Sequence, residues 1–259
     1  MNKRLIIIVL LILSFFAFIA LILTSVDRKL VRKQPVIPPA IKGKIAIVID
    51  DWGYNSNNLG IAEEIKQPLT CAILPNLKNS GLIAEKLNNL GFEIILHLPM
   101  EPKEKYGLEK NTITTSMDAA QVYNIINEDL ASILFAKGIS NHMGSRITED
   151  TRVSTLIMTE AKRRKLYFLD SFVTAQSICP SLASKIKVRF AKRDIFLDNR
   201  DDPGYIKGQL LKLRDLARRK GYAIGIGHDR RNTLQVLREL IPQLVKSGYR
   251  FVFVSEIAR

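Results

Sequence analysis

The 259-residue chain is expected to fold as an α/β protein, an irregular seven- or eight-stranded (β/α) barrel, and three observations point there. Short β-branched runs alternate with stretches whose apolar residues recur every three or four positions, about seven times over, the signature of parallel strands joined by crossover helices. Several strands, such as Ile45-Ala46-Ile47-Val48-Ile49, are apolar on both faces, as buried parallel strands are. The repeat fills about 215 residues, which suits a barrel, with an open doubly wound sheet as the runner-up.

The elements follow in order. Leu5 to Thr24 are apolar apart from Ser14 and Thr24, enough for a helix to cross a bilayer, and Lys3 and Arg4 precede them. The stretch is longer than a signal-peptide core, and Leu23-Thr24-Ser25-Val26 makes a poor cleavage site, so residues 1–27 read as an N-terminal transmembrane anchor in preference to a signal. Residues 28–41, with Arg28, Lys29, Arg32, Lys33 and Val36-Ile-Pro-Pro-Ala40, read as a basic, proline-containing linker. The folded domain is expected over 42–259. Strands are expected at 44–49, 70–74, 93–96, 138–140, 166–169, at 187–190 or 195–197, at 223–226 and at 250–254. Helices are expected at 59–65, 81–90, 118–135, 151–164, 205–220 and 233–246, with Asp118 as an N-cap.

The net charge of +14 is compatible with nucleic acid, an anionic membrane or an acidic polymer, and equally with charge spread over solvated helix faces. Apart from the linker, the densest basic cluster is Lys162-Arg163-Arg164-Lys165, and no nucleic-acid-binding motif accompanies it, so no nucleic-acid partner is expected. Cys71 sits in an apolar run and reads as a small buried hydrophobe; two cysteines, Cys71 and Cys179, define no disulfide framework. Gly225-Ile226-Gly227 lacks the context of a phosphate-binding loop.

The chemistry is expected at the residues that end the strands. Asp50-Asp51 follow the first, His97 and Glu101 the third, Asn141-His142 with Arg146 the fourth and Asp170 the fifth. Asp198-Asn199 follow the next, His228-Asp229 the seventh, and Ser255-Glu256 the last. All three histidines of the chain fall at such ends, which in a barrel converge on one face. Singly, each could be a core histidine or a turn carboxylate. Together they supply what a mononuclear metal site needs: imidazole and carboxylate ligands and an open position. In a carboxylate pair one member can bind metal while the other takes a proton from water. Arg146 would make a surface ion pair or fix a carboxylate of the site; Asp198 would serve a turn or the site.

The set Val48-Ile-Asp-Asp-Trp-Gly53, Leu96-His-Leu-Pro-Met-Glu-Pro102, Asn141-His-Met-Gly-Ser-Arg146, Phe168-Leu-Asp-Ser171, Phe196-Leu-Asp-Asn199 and Ile226-Gly-His228 resembles the divergent polysaccharide deacetylase family, from about Lys44 to Ile257. The resemblance implies a distorted barrel of the polysaccharide deacetylase type and a divalent metal, usually Zn2+. It implies Asp50 as general base and Asp51 as metal ligand. It implies His97 as a second ligand, and His228 as the proton donor with Asp170 as its partner. Relatives carry a second histidine four residues after the first; here Glu101 stands at that place, so either Glu101 or His142 completes the metal site, with Asp51, His97 and His142 the preferred set. The implied activity is removal of acetyl groups from a cell-envelope glycan by an extracytoplasmic domain, membrane-anchored or secreted. The charges flanking the apolar stretch, taken alone, favour the opposite side of the membrane. A glycan-binding barrel without catalysis, and a metal-dependent barrel hydrolase acting on a phosphodiester or cyclic amide, are the alternatives.

Overall fold

The computed structural model describes residues 2–29, 41–105 and 107–259, so most of the expected linker lies outside the described residues. The chain divides into two compact units, 1–40 and 41–259. Among the described residues the first contains one helix, α1 (Lys3–Lys29), and Lys3–Leu23 is long and apolar enough to cross a membrane. The helix continues past the apolar stretch as far as Lys29, because nothing in Ser25-Val26-Asp27-Arg28 breaks it.

Among the described residues, the second unit carries nine parallel strands: β1 (Gly43–Trp52), β2 (Thr70–Ile73), β3 (Glu93–Met100), β4 (Gly138–Met143), β5 (Tyr167–Asp170), β6 (Phe190–Lys192), β7 (Ile195–Phe196), β8 (Tyr222–His228) and β9 (Tyr249–Phe251). Between the strands, the described residues form the α-helices α2 (Leu59–Glu64), α3 (Ser80–Asn89), α4 (Ala119–Ser132), α5 (Thr151–Arg163), α6 (Cys179–Ile186), α7 (Pro203–Lys220) and α8 (Arg231–Lys246). The strand order is β6-β5-β4-β3-β2-β1-β8-β7. The sheet curls into a barrel that stays unpaired between β6 and β7. β8 takes one edge of β1 from Lys44 to Asp50; β2 and β9 share the other, β9 pairing with Gly43–Ile45 before β2 begins at Val48.

Side-chain alternation sorts the core into two layers. Ile45, Ile47 and Ile49 join Leu96, Leu98, Ile139 and Phe168 in the cluster that meets the helices. Ala46 and Val48 join Ala72, Ile95, Tyr167, Leu169, Ile224 and Ile226 in a second cluster that fills the barrel, closed below by Val252, Val254, Ile257 and Ala258. Both clusters draw all their members from 45–258, so 41–259 carries a complete core. The floor is held by buried Glu93, whose Oε1 accepts from Thr70 Oγ1 (2.9 Å), Tyr167 OH (2.8 Å) and the Ser255 N–H (3.2 Å).

Two expectations change here. Ser255-Glu256 do not reach the face where the other strand ends gather. β9 pairs only with the first residues of β1, so the chain beyond it turns under the barrel floor. Of the two short segments offered for the sixth strand, 195–197 supplies β7 at one free edge, whereas 187–190 gives only Phe190 to β6 at the other, because Lys187 ends α6, a helix that was not anticipated. Asp118 does cap α4, in a capping box with Gln121, and both cysteines are buried and free.

Gly138 opens β4 against the Tyr167 ring, and a Cβ there would lie 2.6 Å from Tyr167 Cζ. Because Tyr167 is pinned to Glu93, the ring cannot yield. Gly138→Ala is expected to destabilise 41–259 by about 1–3 kcal/mol, read by urea unfolding; an unchanged midpoint would mean that the ring moves freely.

Candidate active site

The site is built at the C-terminal mouth of the barrel. Interior residues alternate along each strand, so Asp50 follows Ala46 and Val48 inward, His97 follows Ile95, His142 follows Ser140, and His228 follows Ile224 and Ile226. The three histidines lie within the last residues of β3, β4 and β8 and not beyond them, because these strands run further than their apolar stretches.

Alternation alone would send Asp51 outward. A bulge prevents it: Ile49 pairs with Cys71 and Trp52 with Ile73, so Asp50 and Asp51 together oppose Ala72. Asp51 adopts φ +65°, the left-handed region unusual for a residue with a Cβ. The extra residue turns both carboxylates into the mouth and returns Trp52 to the helix-facing core.

Asp51 Oδ1 lies 3.3 Å from His97 Nε2 and 3.1 Å from His142 Nδ1. Asp50 Oδ2 lies 3.6 Å from His97 Nε2. The imidazoles of His97 and His142 meet edge to face, 5.0 Å between centroids. Asp51, His97 and His142 form the one group among the described residues whose ligand atoms all lie within 4.8 Å of each other in metal-ligating types. The donor set fits a divalent cation. Two ligands about 2.0–2.1 Å from a tetrahedral ion stand roughly 3.3 Å apart, close to the distances from Asp51 to the two rings. His97 Nδ1 is 2.8 Å from Ser140 Oγ; with Nδ1–H donating to Ser140, Nε2 presents its lone pair to Asp51 and the shared space. Asp50 Oδ1 is buried and without a hydrogen-bond partner, as expected of a group that serves a ligand.

Charge separates the two carboxylates. Burial lifts the Asp50 carboxyl above the ordinary range, partly opposed by His97 and His228. Burial would lift Asp51 too, but hydrogen bonds and charge from His142 and His97 prevail and hold it well below that range. Asp51 therefore stays anionic while its neighbour is the more basic group.

Across the mouth, His228 Nδ1 lies 2.8 Å from Asp198 Oδ1, and the other Asp198 oxygen accepts from the His228 N–H (2.8 Å) and Thr233 Oγ1 (2.6 Å). Burial pushes His228 down; the hydrogen bond and charge of Asp198, with Asp50 and Asp51, outweigh it, and the imidazole is held above its usual pKa. Gly227 makes room for this arrangement, since a Cβ there would fall 2.7 Å from Thr233 Cγ2 and 3.4 Å from Asp198 Oδ2. The Phe196 ring stacks on His228 at 5.9 Å, and Arg193 lies 3.5 Å over Phe196 while donating to the carbonyls of Ser171 and Phe172.

The expected partnership of Asp170 with His228 is corrected. Tyr167 and Leu169 point into the barrel, so Asp170 points outward, where it accepts from Ser177 Oγ (2.7 Å) and the Phe172 N–H (2.8 Å). Leu197 faces the helices, which leaves the next residue, Asp198, facing in. Glu101 is likewise engaged elsewhere, with Arg146 Nε (3.2 Å) and with the N–H and hydroxyl of Thr115 (2.7 and 2.9 Å). Arg146 fixes that carboxylate, bracing the β3 and β4 loops. Glu101→Gln is expected to leave metal content unchanged by elemental analysis; loss of the metal would return Glu101 to the ligand set. Ser140, Thr233, Arg193 and Phe196 were not anticipated. Ser140 shares a strand face with His142, but its place beside His97 depends on the β3–β4 register.

The family model for divergent polysaccharide deacetylases matches residues 47–258. The chain belongs to this family. A relative, the uncharacterized protein YibQ of Escherichia coli (strain K12), is 36% identical over 206 residues, 80% of this chain and 65% of YibQ, so the match spans just under two thirds of that relative's length. Among solved structures, an uncharacterized protein from Agrobacterium tumefaciens C58 superposes with a TM-score of 0.79 at 23% identity, covering 85% of this chain and 91% of that one. A wild-type Bacillus anthracis protein described as a CE4 family pseudoenzyme superposes at 0.51 with 14% identity, covering 83% and 64%. The divergent polysaccharide deacetylase chain thus has the curled parallel barrel of the CE4 fold.

Proposed function

We propose that the chain is a metal-dependent hydrolase that removes acetyl groups from a cell-envelope polysaccharide, its extracytoplasmic domain anchored by α1. The observation that carries this reading is the meeting, in one barrel mouth, of the Asp51–His97–His142 cluster, buried Asp50 and the Asp198–His228 pair.

Asp51, His97 and His142 would hold a divalent cation, with zinc the natural ion for two imidazoles and a carboxylate. When bound, it would polarise the acetyl carbonyl and lower the pKa of water. Asp50 takes the proton from the attacking water, a task suited to a carboxylate raised by burial. His228, protonated and aligned by Asp198, donates a proton to the departing nitrogen or oxygen. Thr233 and the His228 N–H keep Asp198 oriented, and the Arg193–Phe196 stack limits tilting of the imidazole.

The second reading is a glycan-binding barrel without catalysis, favoured by a fold neighbour described as a pseudoenzyme. Purified protein, supplied with zinc, is expected to hold about one ion per chain and to release acetate from acetylated glycan fragments. Bound metal and glycan binding without acetate release would establish the second reading; absence of metal would sink the first.

A further inference from the structure

The face of the barrel opposite the site carries a second concavity that no part of the proposed reaction uses. A cavity of about 570 Å³ opens there, between the segments that lead into β3, β4, β5 and β6 and the C-terminal segment. In a barrel enzyme this end is ordinarily concerned with stability alone. Here Phe92, Phe135 and Phe253 supply apolar walls, and Lys137, Lys165 and Arg189 stand at the rim beside Arg164. Arg164 is paired with Glu160 at 2.6 Å. Among the described residues, Lys137, Lys165 and Arg189 form no ion pair with a carboxylate. The one acid of the lining, Glu93, is buried and already engaged by Thr70, Tyr167 and Ser255. Cations so gathered repel one another, and an anion in the cavity would relieve that repulsion.

The backbone at the rim points the same way. Phe135 and Lys165 adopt φ +71° and +61°, a conformation that disfavours bulky side chains. The first keeps a phenyl ring 46% exposed, next to Leu134 at 61%. Arg164 and Lys165 belong to the basic run Lys162–Lys165, for which the catalytic mouth has no use.

We propose that this face docks on an anionic phospholipid surface, with a headgroup phosphate in the cavity and Leu134 and Phe135 in the bilayer interface. Cations beside exposed apolar and aromatic residues suit a ligand that is anionic at one end and apolar at the other. The chain enters the domain on this same face, where β1 begins at Gly43, with residues 30–42 following α1. The choice of lipid as occupant rests on reading α1 as a membrane anchor.

The test uses residues 41–259, which carry a complete core, and vesicle sedimentation. Vesicles of phosphatidylcholine with roughly one quarter phosphatidylglycerol are expected to bind the domain, pure phosphatidylcholine vesicles are not, and about 0.5 M salt releases it. Lys137→Glu with Lys165→Glu is expected to weaken binding at least about ten-fold, whereas the same charge change on α7, Lys207→Glu with Lys212→Glu, costs less than about two-fold. Phe135→Ala, which changes no charge, weakens binding about three-fold or more. Unchanged melting temperatures keep the comparison valid for each variant. Equal losses in both double variants, no preference for the anionic vesicles, or tighter binding of a soluble acidic peptide would each overturn the proposal. The catalytic mouth takes no part in this readout, so failure here and failure of the deacetylase reading are distinguishable.

Discussion

Asp51→Ala is expected to remove bound divalent metal, whereas Asp50→Asn retains about one equivalent and loses roughly 10²–10⁴-fold in kcat, the range of a general base. The two residues are adjacent and both carboxylates, so the split is a demanding one. It follows from the bulge in β1. Asp51 touches both imidazoles through one oxygen and is held ionised by them. Asp50 is 3% exposed, approaches only His97 among the imidazoles, at 3.6 Å, and keeps one oxygen free of hydrogen bonds. Elemental analysis and initial rates on the same preparations decide the matter. Equal metal retention in both variants would sink the ligand assignment.

Asp198→Asn is expected to lower kcat by about 10²–10⁴-fold and to bring the alkaline fall in activity to lower pH. A proton donor must be protonated, so activity is lost as pH rises through the pKa of His228. Asp198 raises that pKa through its hydrogen bond and charge, against the downward push of burial. With the charge removed, the imidazole gives up its proton at lower pH, and the limb moves with it. Asp170→Asn should leave the limb in place, because Asp170 serves Ser177 and Phe172 on the helix side of β5. A limb that follows Asp170 and ignores Asp198 would reverse the assignment.

The confusion between these two aspartates marks where the sequence stops being legible. Phe168-Leu-Asp-Ser171 and Phe196-Leu-Asp-Asn199 look alike on paper, each an apolar pair followed by an aspartate. Their parity differs: Leu169 lies inside the barrel and Leu197 outside, so the aspartates that follow them face opposite ways. A strand apolar on both faces carries no mark of which face is which, and buried parallel strands are of that kind. Glu101 shows the same limit, since nothing local reveals that Arg146 and Thr115 occupy its carboxylate.

By itself the sequence determined the barrel class, the strand–helix alternation, the apolar N-terminal helix and the gathering of three histidines and several aspartates at strand ends. Those features are local: they depend on apolar periodicity, residue type and position along each element. Only the tertiary structure decided which of those side chains share the mouth. Strand parity turned Asp170 away and brought Asp198 to His228, register set Ser140 beside His97, and one extra residue in β1 turned Asp51 toward the imidazoles. Such contacts join residues distant in the chain, and their geometry is fixed by pairing with neighbouring strands, which a single strand's sequence does not encode.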